Sequence, residues 1–198
     1  SKNVTFLRNE KQIFSDSGAH VVDNYNNSFI SENFIFSIPN EIFKGKNVTF
    51  EDNLGNISKF ESFFANLKNK EVHGKNVKYF FANEAFGNKK NEPRLYGNVL
   101  ESNSDKTEIS KGIFTTCKKR DGCPPWTIKA KKITHDKNKK IIDYQNAWLQ
   151  VYDKPIFYFP KFFHPDPTVK RQSGFLIPKF TDSSSAGTSL QIPYFKVL

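Results

Sequence analysis

The sequence predicts an all-β chain built from stacked antiparallel strands. Short segments in which apolar and polar residues alternate recur along the chain, and this two-residue period is typical of half-buried strands. A sequence motif also returns at variable spacing, which indicates stacked strand units rather than one globular core. Residues 60–67 could form two helical turns, but they lack caps and length, so we predict a strand there.

Composition limits the class of protein without fixing its partner. The 198 residues carry a formal net charge of +10, with 37% hydrophobic and 15% aromatic residues. No run approaches the 18 apolar residues of a transmembrane helix, although β-barrel strands would not be detected in this way. The positive charge fits an acidic partner, but a general compositional bias towards Lys and Asn explains it equally well.

The chain contains no methionine and opens on Ser1 without a charged and then apolar leader. We therefore expect a processed form or a fragment of a longer protein.

The repeated motif organises the first hundred residues. Lys-Asn-Val-Thr-Phe starts at Lys2 and returns at Lys46; related segments start at Lys75 and, more faintly, at Gly97. Later strands alternate in the same way, and residues 101–112 form a polar connection before them. The alternation nominates one apolar face, made of Val48, Phe50, Val77, Tyr79, Trp126, Ile128, Ala147, Leu149 and Val151. This face could form either a closed core or an open apolar trough, because the same alternation serves both.

A proline-rich and aromatic junction follows at residues 154–173, and residues 174–198 form a hairpin. Pro178 and Pro193 each lie in one of its two strands. Proline removes a ladder hydrogen bond, so it is normally confined to edge strands. Two such residues in facing strands predict a seam that pairs weakly.

Few residues point to chemistry. Cys117 and Cys123 are too few for a closed zinc site, so an oxidising compartment would favour a disulfide. His164 and Asp166 flank a proline in what we expect to be a rigid corner. The lysines of residues 129–140 could contact nucleic acid, but a solvated strand edge is the commoner explanation. The sequence therefore predicts no enzyme, no metal or cofactor site and no nucleic-acid partner.

The second half resembles a known family. The resemblance rests on the order Thr116-Cys117, Trp126, His135-Asp136 and Asn146-Ala147, followed by two specific motifs. These are Pro-Ile-Phe-Tyr-Phe-Pro at residues 155–160 and Arg-Gln-Ser-Gly-Phe-Leu-Ile-Pro at residues 171–178. Over residues 113–198 the chain is similar to the LptD family of lipopolysaccharide-assembly proteins, the organic-solvent-tolerance or OstA-type proteins. The first hundred residues share with the family only the degenerate strand repeats of its OstA-type domain.

The resemblance implies a fold and a division of the chain. Residues 1–153 would form a periplasmic β-jellyroll, or β-taco, of the OstA-like type, with an apolar interior groove. Residues 154–173 would be the junction, and residues 174–198 would be the first strands of a truncated outer-membrane β-barrel. The groove would then be a trough for lipid A acyl chains, lined by the apolar face nominated above.

The resemblance also implies function, partners and the roles of four residues. Lipopolysaccharide would arrive from a periplasmic bridge protein of the same jellyroll type (LptA-like), and the barrel would hold a plug lipoprotein (LptE-like). The location would be the cell outer membrane, with this portion mainly periplasmic. Pro178 and Pro193 correspond to prolines that weaken the lateral gate of the barrel. Cys117 matches a cysteine bonded to the far end of the barrel, whereas Cys123 has no counterpart, so a Cys117–Cys123 bridge and two separate bridges both remain open.

An alternative function remains. The strand stack could be a structural or adaptor domain that docks periplasmic partners by strand addition without binding lipid. That hypothesis predicts a filled interior.

Overall fold

The structure is a computed structural model that describes residues 4–22, 24, 26–82, 91–118, 124–166, 169, 173–175, 179–183, 187–191 and 194–196. All regular elements among these residues are strands. The all-β prediction is confirmed, and the predicted strand at residues 60–67 is present as far as Asn66, with Leu67 in the turn that follows. Because the described residues form no helix, none of them contributes a helix long and apolar enough to cross a membrane.

One 13-stranded antiparallel sheet makes up most of the structure. Its strands are β1 (Thr5–Leu7), β2 (Gln12–Ser15), β3 (Ala19–Val22), β4 (Ser28–Ser31), β5 (Asn33–Ser37), β6 (Ile42–Glu51), β7 (Ile57–Asn66), β8 (Glu71–Phe80), β9 (Arg94–Ser102), β10 (Lys106–Thr115), β11 (Trp126–Asp136), β12 (Ile141–Val151) and β13 (Lys154–Pro165). From β5 to β13 each strand pairs with the next strand in the sequence. Near the amino-terminal end β2 pairs with β5, while β3 pairs with β4 and β4 with β6.

Four further strands form two small antiparallel ladders. They are β14 (Gly174–Phe175), β15 (Lys179–Ser183), β16 (Gly187–Gln191) and β17 (Tyr194–Phe195). Phe175 pairs with Tyr194, and Phe180 pairs with Leu190. The predicted hairpin is therefore present. Pro178 and Pro193 lie outside the described residues.

The main sheet extends further than the boundary expected at residue 153. β13 follows that point and continues the sheet to Pro165, so the first part of the expected junction is a strand of the same sheet. This strand contains Pro155 and Pro160. It tolerates them because, within the described residues, it pairs only with β12 and forms an edge, where a missing N–H leaves no ladder partner unsatisfied.

Four of the long strands have a left-handed residue near the middle, and these residues line up across the sheet. Asn47 in β6, Asn76 in β8, Lys111 in β10 and Asn146 in β12 all adopt positive φ values between 48° and 49°. Asparagine tolerates this left-handed region better than most residues. The cross-strand register keeps these four residues aligned, so we call this line of residues the crease.

At the crease the inside–outside alternation of every long strand changes phase. Two consecutive residues face outward there, and the residues that flank them on the inside are three apart. The inner pairs are Gly45/Val48, Phe60/Phe63, Gly74/Val77, Gly97/Leu100, Ile109/Gly112, Ala130/Ile133, Tyr144/Ala147 and Phe159/Phe162. The two arms of each strand therefore turn the same face inward, and the sheet closes over itself as the predicted β-taco.

The core lies along the inside of the crease. Its buried members are Val48, Phe60, Val77, Leu100, Ile109, Ala130, Ile133, Tyr144 and Ala147. Small residues are required where the arms approach each other. A Cβ atom on Gly74 would lie 2.5 Å from Cδ1 of Phe60, and Cβ atoms on Gly97 and Gly112 would overlap Ile109 and Ile133.

The repeated motif is explained by this geometry. The copies that start at Lys46 and Lys75 put their asparagines, Asn47 and Asn76, at the crease, and their valines are among the most buried residues. The Asn47 and Asn76 side-chain amides donate hydrogen bonds to Glu32 and Glu61. The copy that starts at Lys2 lies partly outside the described residues.

We expect Gly97→Ala to destabilise the fold, because the new methyl group would overlap the Cγ2 methyl of Ile109. Overpacking of this kind costs roughly 1–3 kcal/mol of unfolding free energy, measurable by urea denaturation. In the background Ile109→Ala, which removes the clashing methyl, the same substitution should cost much less. A wild-type urea midpoint for Gly97→Ala alone would contradict the close packing at the crease.

Candidate functional site

A cavity of about 600 Å³ lies inside the folded sheet. Ligand sites commonly have volumes of this order. Its lining residues are Leu54, Asn56, Ser58, Val72, Tyr79, Phe81, Ala82, Leu95, Leu100, Ser102, Thr107, Ile109, Ile133, His135, Ile142 and Asp166. The lining is predominantly apolar, so the cavity suits an apolar ligand.

Both arms of the folded sheet supply walls. Val72, Leu100 and Ile142 come from the arm on one side of the crease, and Tyr79 and Leu95 come from the other. The cross-strand register places these residues in continuous inward rows. The cavity is therefore a product of the crease: unbent strands would leave the two walls on one flat surface.

Polar groups in the cavity wall satisfy each other. Nε2 of His135 lies 2.7 Å from Oδ2 of Asp166. The hydroxyls of Ser102 and Thr107 are hydrogen-bonded at 2.7 Å. Burial raises the pKa of Tyr79 to about 12, with smaller contributions from Asp52 and Asp166. The Tyr79 phenol is thus neutral at physiological pH and adds no charge to the apolar wall.

The ammonium group of Lys137 is hydrogen-bonded to Ser102 in the cavity wall. Nζ of Lys137 donates a hydrogen bond to the hydroxyl of Ser102 at 3.0 Å and a second one to the carbonyl of Asn103. Partial burial lowers the pKa of Lys137 below its ordinary value, and the nearby Asp105 opposes this effect. The ammonium group is thus held beside Ser102, which lines the cavity.

The predicted groove residues fall into three sets, of which the first two are the closed core and the cavity wall. Val48, Val77 and Ala147 belong to the closed core, with exposed fractions of 1%, 2% and 0%. Tyr79 lines the cavity. The alternation could not separate these cases, because residues nearest the crease and residues further along the arm share one face.

The remaining predicted groove residues also face the interior of the folded sheet, but they do not line the cavity. Phe50 pairs with Ser58, Ile128 with Leu149, and Trp126 with Val151. Ile128 packs against the core, whereas Val151 is 38% exposed near the end of its strand. Their contact with a ligand stays a prediction.

Sequence reasoning missed most of the cavity wall. Leu95, Leu100, Ile109, Ile133 and Ile142 were not nominated. Except for Leu95, these residues are out of phase with the predicted apolar face, because the alternation changes phase at the crease. The detectable signal was a pair of apolar or glycine residues three apart inside each strand.

Cys117 is partly buried and forms no disulfide within the described part of the chain. Its carbonyl accepts a hydrogen bond from the Arg94 guanidinium, and its amide donates to the Thr115 hydroxyl at 3.2 Å. Cys123 lies outside the described residues. The pairing of the two cysteines therefore stays a prediction.

A second concavity, about 690 Å³, lies on the outer surface of the sheet and crosses β5–β9. Lys44, Lys46, His73 and Lys75 are among the residues around it. Although larger, it is a solvent-facing groove, so it suits a buried apolar ligand less well than the interior cavity.

His164 is not at an exposed corner as expected; it lies in β13 and packs against Tyr144. Nδ1 of His164 contacts the Pro165 carbonyl at 2.6 Å and must donate to it. Nε2 therefore accepts from the Tyr144 hydroxyl, 3.0 Å away. Burial lowers the pKa of His164, opposed by the Pro165 carbonyl and Asp166. Burial also raises the pKa of the Tyr144 phenol.

This arrangement predicts acid sensitivity. The pKa of His164 is lower in the folded chain than the ordinary value of about 6.5 in the unfolded chain. As pH falls below about 6.5 the unfolded chain binds the proton first, so the unfolding free energy decreases. Urea midpoints measured between pH 7.5 and pH 5.5 should fall less steeply for His164→Gln than for the wild type. Parallel slopes would contradict this role.

Comparisons with known proteins agree with the resemblance noted above. The chain is 33% identical over 99 residues to LPS-assembly protein LptD of Nitrosococcus oceani, covering 50% of this chain and 13% of that protein. It is 31% identical over 96 residues to LptD of Yersinia pestis, covering 48% and 12%, and 34% identical over 107 residues to LptD of Ectopseudomonas mendocina, covering 52% and 11%. No protein-family model matches the chain. About half of this chain is thus similar to a small fraction of LPS-assembly protein LptD from diverse bacteria.

Proposed function

We propose that this chain is a lipopolysaccharide-transport module whose folded sheet carries lipid acyl chains. The observation that carries the proposal is the apolar cavity between the two arms. The named relatives are LPS-assembly proteins, and lipopolysaccharide is an amphiphile with several acyl chains. The function is one of binding and transfer, and it requires no catalytic group.

The energetics of the cavity favour such a cargo. Burial of each acyl methylene is worth roughly 0.8 kcal/mol, whereas the sugar and phosphate groups would remain in water. Lys137 stands at the cavity edge beside Ser102, where its ammonium group could attract a lipid phosphate as a point charge.

The relatives suggest the wider setting as part of the same proposal. Lipid would pass from an LptA-like bridge protein into the folded sheet, and from there to an outer-membrane β-barrel that begins with the hairpin of β14–β17 and holds an LptE-like plug lipoprotein. The folded sheet would stand in the periplasm, at the cell outer membrane. Cys117 and Cys123 would form disulfides there.

The alternative is an adaptor that joins neighbours by strand addition. Within the described residues β1 and β13 are the ends of the pairing path, so both could accept a further strand. This hypothesis predicts a filled interior. The 600 Å³ cavity favours the transport hypothesis over an adaptor without lipid.

Site-specific photo-crosslinking tests the proposal. We expect a benzophenone amino acid at Leu100 or Ile142, which both line the cavity, to capture lipopolysaccharide. The neighbouring residues Glu101 and Asp143 face outward and provide matched controls. Crosslinked lipid would be detected as a mobility shift with an anti-lipid antibody. Equal capture at inner and outer positions, or capture only at the outer ones, would contradict the proposal.

We further propose that Pro178 and Pro193 keep the hairpin pairing weak, as a lateral gate requires. Replacing both by Val restores two backbone N–H groups and adds strand-forming side chains. Amide hydrogen exchange should then slow at Phe180 and Leu190, which pair with each other. Lys59 and Lys78 pair in the main sheet and should be unaffected. Unchanged exchange at Phe180 and Leu190 would remove the gate interpretation.

A further inference from the structure

One cross-strand row on the outer surface has an unusual composition. Consecutive pairings in the register connect one residue from each strand from β7 to β13. They are Lys59, Lys78, Tyr96, Ile113, Lys129, Trp148 and Tyr158. We call these seven residues the outer row. The row lies beside the crease and faces away from the cavity, so it is separate from the site described above.

Two of the three lysines of this row repel each other. Lys59 and Lys78 are directly opposite each other on adjacent strands, and like charges in that position destabilise a sheet. Both side chains are exposed. Lys129 lies 3.6 Å from Asp153 in an exposed ion pair. An anionic partner would offset the repulsion between the two opposed lysines.

Two of the three aromatic residues of the row are exposed, although large aromatic side chains are normally buried for the most part. Trp148 is 43% exposed and Tyr158 is 40% exposed. Their ring centroids are 4.9 Å apart, and the Tyr158 hydroxyl donates a hydrogen bond of 2.6 Å to Asn146. The rings are therefore held in a fixed position at the surface rather than packed into the core.

We propose that the outer row docks this domain on an anionic lipid bilayer. Lysines beside Trp and Tyr match the chemistry of a membrane surface, where the cations meet anionic headgroups and the amphipathic rings lie at headgroup level. The row crosses six inter-strand steps of about 4.8 Å, so it spans roughly 29 Å of sheet surface. A surface of that length suits a planar partner.

The same features fit nucleic acid less well. Bases bind by stacking on open aromatic faces, and the Trp148 and Tyr158 rings instead cover part of each other. Ile113, which lies in the row between Tyr96 and Lys129, adds an apolar contact that a phosphate backbone would not use. The inference goes beyond lipid transport, because it concerns the face opposite the cavity.

The two tryptophans allow a direct test. Trp148 lies in the outer row, whereas Trp126 faces inward and packs against Phe114 at 6.2 Å. Trp126→Phe leaves Trp148 as the reporter, and Trp148→Phe leaves Trp126. With vesicles of phosphatidylethanolamine and phosphatidylglycerol that contain no lipopolysaccharide, Trp148 emission should shift to the blue and be quenched by brominated acyl chains. Trp126 emission should change much less. Quenching of Trp126 alone would overturn the proposal.

Replacing lysines of the outer row tests whether their charge contributes to vesicle binding. Lys59→Gln together with Lys78→Gln should weaken vesicle binding about 25-fold, at roughly fivefold per lysine near the surface, while leaving the fold intact because both side chains are exposed. Lys68→Gln with Lys70→Gln removes the same charge from the exposed turn between β7 and β8 and should have little effect.

Three outcomes would overturn the proposal: equal losses in the two charge variants, binding to zwitterionic phosphatidylcholine as strong as to anionic vesicles, or a preference for an oligonucleotide over the vesicles at the same salt concentration. The crosslinking of lipopolysaccharide in the cavity is scored separately, so failure of either proposal leaves the other standing.

Discussion

The aligned change of phase in every long strand is the constraint on which the rest of the structure depends. A β-strand presents alternate residues to opposite faces, so the inner residues within one arm are two apart, whereas those on the two sides of the crease are three apart. Here the phase shifts at the crease, and the left-handed conformations of Asn47, Asn76, Lys111 and Asn146 accompany the shift. The core, the cavity and the outward lysines all follow from this one geometric feature.

Close approach at the crease explains where glycine is needed. Gly74 accommodates the ring of Phe60, and Gly97 and Gly112 accommodate Ile109 and Ile133. These contacts bring the arms together at the crease, and the arms separate further along the strands. The interior is therefore dense at one side, around Val77 and Ala147, and open at the other, around Tyr79 and Leu95. The core and the cavity therefore occupy the same interior, the core next to the crease and the cavity further along the arms.

Much of the fold could be predicted from the sequence, because alternation and turn residues are local signals. The strand at residues 60–67 and the carboxyl-terminal hairpin were predicted on that basis. The cavity wall was not, since Leu100 and Ile142 come into phase with Tyr79 only across the crease. The extent of the sheet was also missed: prolines in β13 resemble a break in structure, and only its position at an edge shows why they are tolerated.

The order of strands determines how the length of such a domain can change in evolution. From β5 to β13 each strand pairs with its neighbour in the sequence, so the folded sheet is a linear array rather than a closed body. A hairpin inserted at a turn would lengthen the folded sheet by about 9.6 Å, two inter-strand steps, and would leave the other pairings intact. The length of the folded sheet is therefore adjustable in units of one hairpin, provided that each new strand carries the change of phase at the crease.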